Sequence, residues 1–289
     1  MIAMDKLKIT IQKEGRLNEK SLKLIGDCGI SLTQEGRRRL VSVAQNFPLE
    51  VLYVRDDDIP RYVCDGVADI GIVGENTVLE KSRDVKIIER LGFARCRLSL
   101  AIPQSVKYTG RNFFNGKKIA TSYPVILKKY LDENNIEADI HEISGSVEIA
   151  PGIGLADSIF DIVSSGSTLI SNRLKEVEVV CHSEAVIIAA SSLAKGKKKI
   201  LDDLLFRIRS VQRSQNYKYI LLNAPDDKID KIVKLLPGMK SPTIIPLYEK
   251  GWSSLHSVIN ENEFWEVIGK LKEHGAQGIL VTSIDKMII

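Results

Sequence analysis

The chain has 289 residues, 44% of them hydrophobic and 27% charged, which excludes a disordered chain and predicts two or three globular domains. Lys+Arg 41 against Asp+Glu 37 leaves a formal net charge of +4, too little for the concentrated basic face of a nucleic-acid binder. The longest apolar runs, Ala185–Ala190 and residues 279–281, fall far short of the roughly 20 residues a membrane span needs, so neither nucleic acid nor a membrane is an expected partner.

The opening MIAMDKLKIT brings in charge at Asp5 and Lys6 and offers no apolar run suited to a signal peptide; the expected location is the cytoplasm. Leu7, Ile9 and Ile11 alternate with polar residues as in a strand. The turn Lys13-Glu14-Gly15-Arg16 follows, and then Leu17, Ser21, Ile25 and Cys28 recur at helical spacing with Gly29 placed to stop the helix. The basic runs 37–39 and 197–199 read as solvated surface. Three successive aspartates at 56–58 do not point one way on a regular element, and Asp58 is better read as the cap of a helix opening at Ile59-Pro60. Four scattered cysteines (Cys28, Cys64, Cys96, Cys181) and four dispersed histidines provide neither a disulfide framework nor a metal cage.

Two segments echo each other: residues 66–74, and residues 154–163 running into 164–168, each read as short helix, apolar strand and small-residue loop. A further strand, turn and helix lies at 117–133, with Pro124 at the helix start. The economical parse is a pair of α/β lobes with a cleft between them. The first spans 1–104 with a return segment at 186–215, and the second spans 105–185. Residues 216–289 parse separately as strand 217–223, a helix capped by Asp226 and ended by Pro237-Gly238, strands near 242–247 and 254–259, a second helix and strand 277–284. That βαββαβ order is the ferredoxin-like arrangement.

The strongest chemical candidate is the loop after the strand at Asp161: Ser164, Ser165, Gly166, Ser167 and Thr168 combine small residues, hydroxyls and a helix start expected at Thr168. These are the ingredients of a phosphate cradle, although the same string also suits an ordinary turn with Thr168 as a helix cap. Asp157 and Asp161, four residues apart, add carboxylates beside it. They suit a ligand that also carries ribose hydroxyls, a developing positive charge or Mg²⁺, while Asp157 can equally sit on a solvated helix face. The turn from Gly145 to Glu148, the Lys13 to Arg16 turn and Ser122-Tyr123 also follow strands. Arg16 can fork onto a phosphate or lie on the surface; Tyr123 can stack on a base or belong to the core.

KEGRLNEKSLKLIGDCGI, VRDDDIPRYVCDGVADIGIVGEN, KKIATSYP, ISGSVEIAPGIGLADSIFDIVSSGSTL and PGMKSPTIIPL, in that order, resemble ATP phosphoribosyltransferase, the first enzyme of histidine biosynthesis, in its long form. The resemblance implies two periplasmic-binding-protein-like lobes that bind ATP and phosphoribosyl pyrophosphate (PRPP) in their cleft with Mg²⁺. It assigns Ser164, Ser165, Gly166, Ser167 and Thr168 to the PRPP 5′-phosphate, and Asp157 and Asp161 to its ribose as catalytic carboxylates. Lys13, Gly15, Arg16, Arg55, Asp69, Ser122 and Tyr123 fall to the ATP and pyrophosphate side, with Glu148 in the cleft without an assigned contact. The third domain becomes a regulatory one that binds histidine as allosteric inhibitor through Asn223, Met239, Thr243, Val258 and Gly278, in a homo-oligomer assembling from dimer to hexamer. A two-lobed anion or solute receptor without catalysis is the alternative, because fold does not fix function.

Overall fold

Alternating apolar residues set the first strand: Leu7, Ile9 and Ile11 are at most 1% exposed, and Thr10 between the last two is buried as well, so the strand is covered on both faces there. The computed structural model describes residues 5–33, 40–236 and 238–288, so the basic run at 37–39 and Pro237 lie outside the described residues. In chain order the elements are β1 (Leu7–Gln12), α1 (Arg16–Asp27), β2 (Val41–Val43), β3 (Leu49–Val54), α2 (Ile59–Cys64), β4 (Ile70–Gly74), α3 (Glu75–Lys81) and β5 (Val85–Arg90). There follow β6 (Cys96–Pro103), β7 (Lys118–Thr121), α4 (Pro124–Glu133), β8 (Asp139–Glu142), β9 (Ser158–Val163), α5 (Ser167–Ser171), β10 (Leu174–Ser183) and β11 (Ala185–Ala190). Last come α6 (Lys195–Ser214), β12 (Tyr217–Pro225), α7 (Ile229–Leu235), β13 (Thr243–Pro246), β14 (Trp252–Asn260), α8 (Glu261–Glu273) and β15 (Gln277–Ser283).

The chain divides into two compact units, one running to Gly26 and over Ile30–Leu201, the other comprising Asp27–Gly29 and Asp202 onward. The first unit holds two sheets, ordered β2-β3-β1-β4-β11-β5 and β10-β6-β9-β7-β8. Strands β1, β3 and β4 run parallel in one sheet; β7, β8 and β9 run parallel in the other. The chain crosses from the first sheet to the second between β5 and β6 and returns between β10 and β11. This is the paired α/β, periplasmic-binding-protein-like arrangement expected.

Two boundaries differ from the expectation. Strand β6 belongs to the second sheet, so the first lobe closes before residue 96 rather than at 104. Leu98, Leu100, Ala101 and Ile102 on β6 are all fully buried, so no composition break marks the crossing. The return segment also ends sooner, since α6 from Asp202 groups with the C-terminal unit.

Each lobe has its own core. In the first, Ile59 and Val63 of α2 pack with Val73, Val186 and Ile188. Gly71 permits this approach, because a Cβ there would fall 2.6 Å from Ile59 Cγ2 and 2.8 Å from Thr10 Oγ1. In the second, Phe114 and Phe160 pack with Leu98, Leu100 and Leu127. Asp58 takes the cap position of α2 as expected but makes no side-chain cap hydrogen bond; Pro60 occupies the first turn.

The C-terminal sheet is ordered β13-β14-β12-β15, with β12 antiparallel to both neighbours. Ile220, Leu222, Ala224 and Leu255 face Ile232 of α7 and Leu271 of α8. Four antiparallel strands in this order with two helices on one face are the ferredoxin-like fold. No described helix is long and apolar enough to cross a membrane.

Candidate active site

The loops expected to carry chemistry leave the C-terminal ends of parallel strands, where an α/β sheet presents its crevice. In the first lobe the Lys13 amide donates to the Val54 carbonyl at 2.8 Å, so Lys13 and Arg55 leave adjacent strands, both exposed. Gly15 has φ +95°, and Arg16 opens α1. In the second lobe β7, β8 and β9 deliver Ser122-Tyr123, the Gly145 to Glu148 turn, and residues 164–168.

A pocket of about 230 Å³ brings part of this set together: Ser164, Ser165, Gly166, Ser167 and Thr168 line it with Asp161, Glu148 and Arg16. Gly166 sits at φ +81°, ψ 0°, the left-handed region that a β-carbon disfavours. Its constraint is conformational rather than spatial, since a Cβ would come no nearer than 4.0 Å to Val163. The helix that follows begins at Ser167, one residue before the expected start, and Leu169 anchors it in the core. The hydroxyls of Ser165 and Ser167 lie 3.0 Å apart, and the main chain of Ser167 donates to Ser165 Oγ at 3.4 Å. The loop thus closes on itself through Ser165 and Ser167, and Ser164, Ser165, Ser167 and Thr168 are all exposed.

Asp161 stands at the mouth of this cradle with Oδ1 accepting from the Ile162 amide at 2.8 Å. Burial pushes its carboxyl up from 3.8 to about 6; the Ile162 amide works against that, and the negative charge of Glu148 adds to it. Glu148 reaches the pocket from a turn in which Gly145 (φ +81°) and Ser146 (φ +51°) are both left-handed and Val147 is buried as an anchor. A hydroxyl-rich anion cradle with two carboxylates and one arginine suits a ligand with a phosphate at one end and hydroxyls or a developing cation beside it.

Tyr123 combines both readings of the sequence. Its ring packs against the second-lobe core, while its hydroxyl accepts from Asn76 Nδ2 at 3.4 Å across the lobes. Burial, with the charges of Asp161 and Asp56, raises its phenol above the ordinary value. Ser122 is structural: its hydroxyl donates to the Ile143 carbonyl at 2.6 Å and ties the β7 and β8 loops together.

Two expected site residues lie elsewhere. Asp157 precedes β9, where its Oδ2 accepts from the Lys118 amide of β7 at 2.9 Å. Asp69 precedes β4, where its Oδ2 accepts from the Lys8 amide of β1 at 2.7 Å, and Lys197 Nζ lies 3.0 Å from the same carboxylate. Both staple the starts of parallel strands, at the end opposite the cleft. Four residues along a strand span about 13 Å, whereas along a helix they stack on one face, so Asp157 cannot share Asp161's site. The matching Gly-x-Ala-Asp of residues 66–69 and 154–157 is therefore a repeated strand-start staple, and the echo between lobes is structural.

Sequence reasoning missed the buried Glu80 of α3. Its two carboxylate oxygens accept from the Val125 and Ile126 amides at 3.0 Å each, capping α4 of the other lobe. The acidic run at 56–58 forms a turn in which Asp56 accepts from the Thr77 hydroxyl at 3.1 Å. Among the described residues no three His, Cys, Asp or Glu side chains gather as a metal site.

In the C-terminal unit, Met239, Thr243 and Val258 line a pocket of about 430 Å³ together with Tyr219 and His256. The Tyr219 hydroxyl and His256 Nδ1 are 2.6 Å apart. Asn223 and Gly278 are neighbours of each other but lie outside this pocket. Asn223 pairs with Ser254 and Gln277, while Tyr219 pairs with Val258 four residues away, about 13 Å along the strand.

The family model described as ATP phosphoribosyltransferase matches residues 55–210, and the one described as HisG, C-terminal domain matches residues 214–286. The ATP phosphoribosyltransferase of Cytophaga hutchinsonii is 61% identical over 282 residues, 98% of each chain. That of Bacteroides thetaiotaomicron is 57% identical over 283 residues, covering 98% of this chain and 100% of its own. Among solved structures, a chain from the ATP phosphoribosyl transferase (HisG:HisZ) complex of Thermotoga maritima aligns with a TM-score of 0.61 at 27% identity, over 70% of this chain and 96% of that one.

Proposed function

The chain belongs to the ATP phosphoribosyltransferase family, in its long form, and from that membership we propose how its first unit joins adenine N1 of ATP to C1 of PRPP. The observation that carries the reading is the single pocket in which the loop 164–168 meets Asp161, Glu148 and Arg16. The loop amides and hydroxyls hold the 5′-phosphate. With the phosphate fixed there, the ribose extends toward Asp161, whose carboxylate steadies positive charge at C1 as the bond to pyrophosphate breaks. Arg16, and Lys13 and Arg55 from the facing lobe, offset the charge of the departing pyrophosphate. Adenine N1 brings its own lone pair, so the attack needs positioning in line rather than a protein nucleophile.

Asp157 and Asp69 take no part in this reading; their carboxylates are engaged by backbone amides. Mg²⁺ fits as an ion carried by the substrate phosphates, with Glu148 and Asp161 as the side chains that meet it, since Mg²⁺ commonly keeps only one or two protein carboxylates. When bound it supplies charge neutralisation at the pyrophosphate. The C-terminal unit takes histidine as feedback inhibitor, with Met239, Thr243 and Val258 at the pocket, in a cytoplasmic homo-oligomer that exchanges between dimer and hexamer. Inhibition then requires that histidine bind one conformational or assembly state better than another.

An ultraviolet assay of product formation with ATP, PRPP, Mg²⁺ and a pyrophosphatase, with and without histidine, tests the reading. Product formation suppressed by histidine supports both parts. Product formation indifferent to histidine removes the regulatory part, and PRPP binding without product restores the receptor alternative.

A further inference from the structure

Arg97 lies on β6 directly opposite Val163, the last residue of β9 before the phosphate loop. It does not line the pocket. Its Nε and Nη2 donate to the two carboxylate oxygens of Glu176 on β10 at 2.5 and 2.6 Å, and the Ser99 hydroxyl donates to the same carboxylate at 2.6 Å. A two-pronged bond of this kind fixes the plane of the guanidinium as well as its position. Hydrogen bonding from Arg97 holds the Glu176 carboxyl below its ordinary range, so the pair stays ionised at neutral pH.

The remaining arm, Nη1, donates to the main-chain carbonyl of Ser164 at 3.2 Å. In a trans peptide the carbonyl and the next N–H point in opposite directions. Holding the Ser164 carbonyl toward Arg97 therefore turns the Ser165 N–H away from Arg97, and Ser165 is among the residues that line the pocket. The charge of Arg97 is offset by Glu176, which leaves Arg16 as the arginine on the pocket wall.

We propose that the Arg97–Glu176 pair is a positioning device for PRPP: it pins the Ser164 carbonyl and so presets the loop amides that receive the 5′-phosphate. The inference rests on the reading of residues 164–168 as the PRPP phosphate site. Residues 79 positions apart in sequence build it. Lysine at position 97 keeps the charge but cannot fork onto Glu176 and reach Ser164 at once.

The test titrates PRPP, and separately ATP, into the wild-type protein and Arg97→Lys by calorimetry, alongside initial rates. The expected result is a rise of about tenfold in Kd and KM for PRPP, with KM for ATP and kcat within about twofold. Glu176→Gln is expected to give the same split more weakly, with both variants melting cooperatively. Kd and KM for PRPP within twofold of wild type overturn the proposal, as does an equal rise for both substrates, which marks a merely structural role. A wild-type protein that binds PRPP without turnover refutes the transferase reading, and the Kd comparison then still decides the role of Arg97. A wild-type protein that does not bind PRPP overturns both.

Discussion

Asp161→Asn is expected to make the protein slower and more stable together. The folded protein raises this carboxyl from 3.8 to about 6, chiefly by burial. At about 1.36 kcal/mol per pH unit, keeping it ionised costs the fold roughly 3 kcal/mol at pH 8 and about half that at pH 5. The sign follows from the direction: the folded state holds this proton more tightly than the unfolded chain. Its contribution therefore favours folding at low pH and is lost as pH rises from 3.8 through about 6. Asparagine is neutral throughout and can still accept from the Ile162 amide, though more weakly. The net gain at pH 8 is then about 1–2 kcal/mol, a rise of roughly 3–6 °C in Tm for a unit of this size. Over the same range kcat is expected to fall by about a hundredfold or more, with KM for PRPP little changed. Scanning calorimetry at pH 8 and pH 5 with initial rates at pH 8 checks both halves. A variant of unchanged kcat, or one whose stability relative to wild type is the same at both pH values, refutes the assignment.

Asp157→Asn and Asp69→Asn should behave in the opposite way, each lowering stability by about 1 kcal/mol as a charged acceptor of a backbone amide is lost, while kcat holds within about twofold; urea unfolding beside the rate assay separates the two classes. Gly166→Ala places a β-carbon at φ +81°, and the strain, about 1 kcal/mol, should raise KM for PRPP several-fold without moving KM for ATP. Val258→Lys puts a charge into the C-terminal pocket and should weaken histidine inhibition by about tenfold or more, leaving the rate without histidine unaltered. A histidine titration of activity reads that outcome directly.

The loop 164–168 stood out in the sequence because its signal is local: a run of small hydroxyl residues after an apolar strand has the composition of an anion cradle wherever the sheet puts it, and these residues line one pocket. Pro124 at a helix start and the βαββαβ order at the C-terminus were legible for the same reason. Asp157 misled because a four-residue spacing puts side chains together only on a helix, and β9 is a strand. Asp69 misled because a carboxylate in a glycine-bounded segment looks equally suited to a ligand or to a neighbouring strand's amide. Arg97 and Glu176 carried no sequence signal because only the pairing of β6 with β10 brings residues so far apart in the chain together, and Glu80 carried none because its partners lie in the other lobe. The lobe boundary at β6 stayed hidden because a strand buried on both faces reads alike in either sheet.

The most direct test of the central claim is a crystal structure of the protein with PRPP bound. The 5′-phosphate is expected within hydrogen-bonding distance of the amides and hydroxyls of residues 164–168, with the ribose facing Asp161. A phosphate seated away from that loop, with Asp161 remote from C1, would contradict the account.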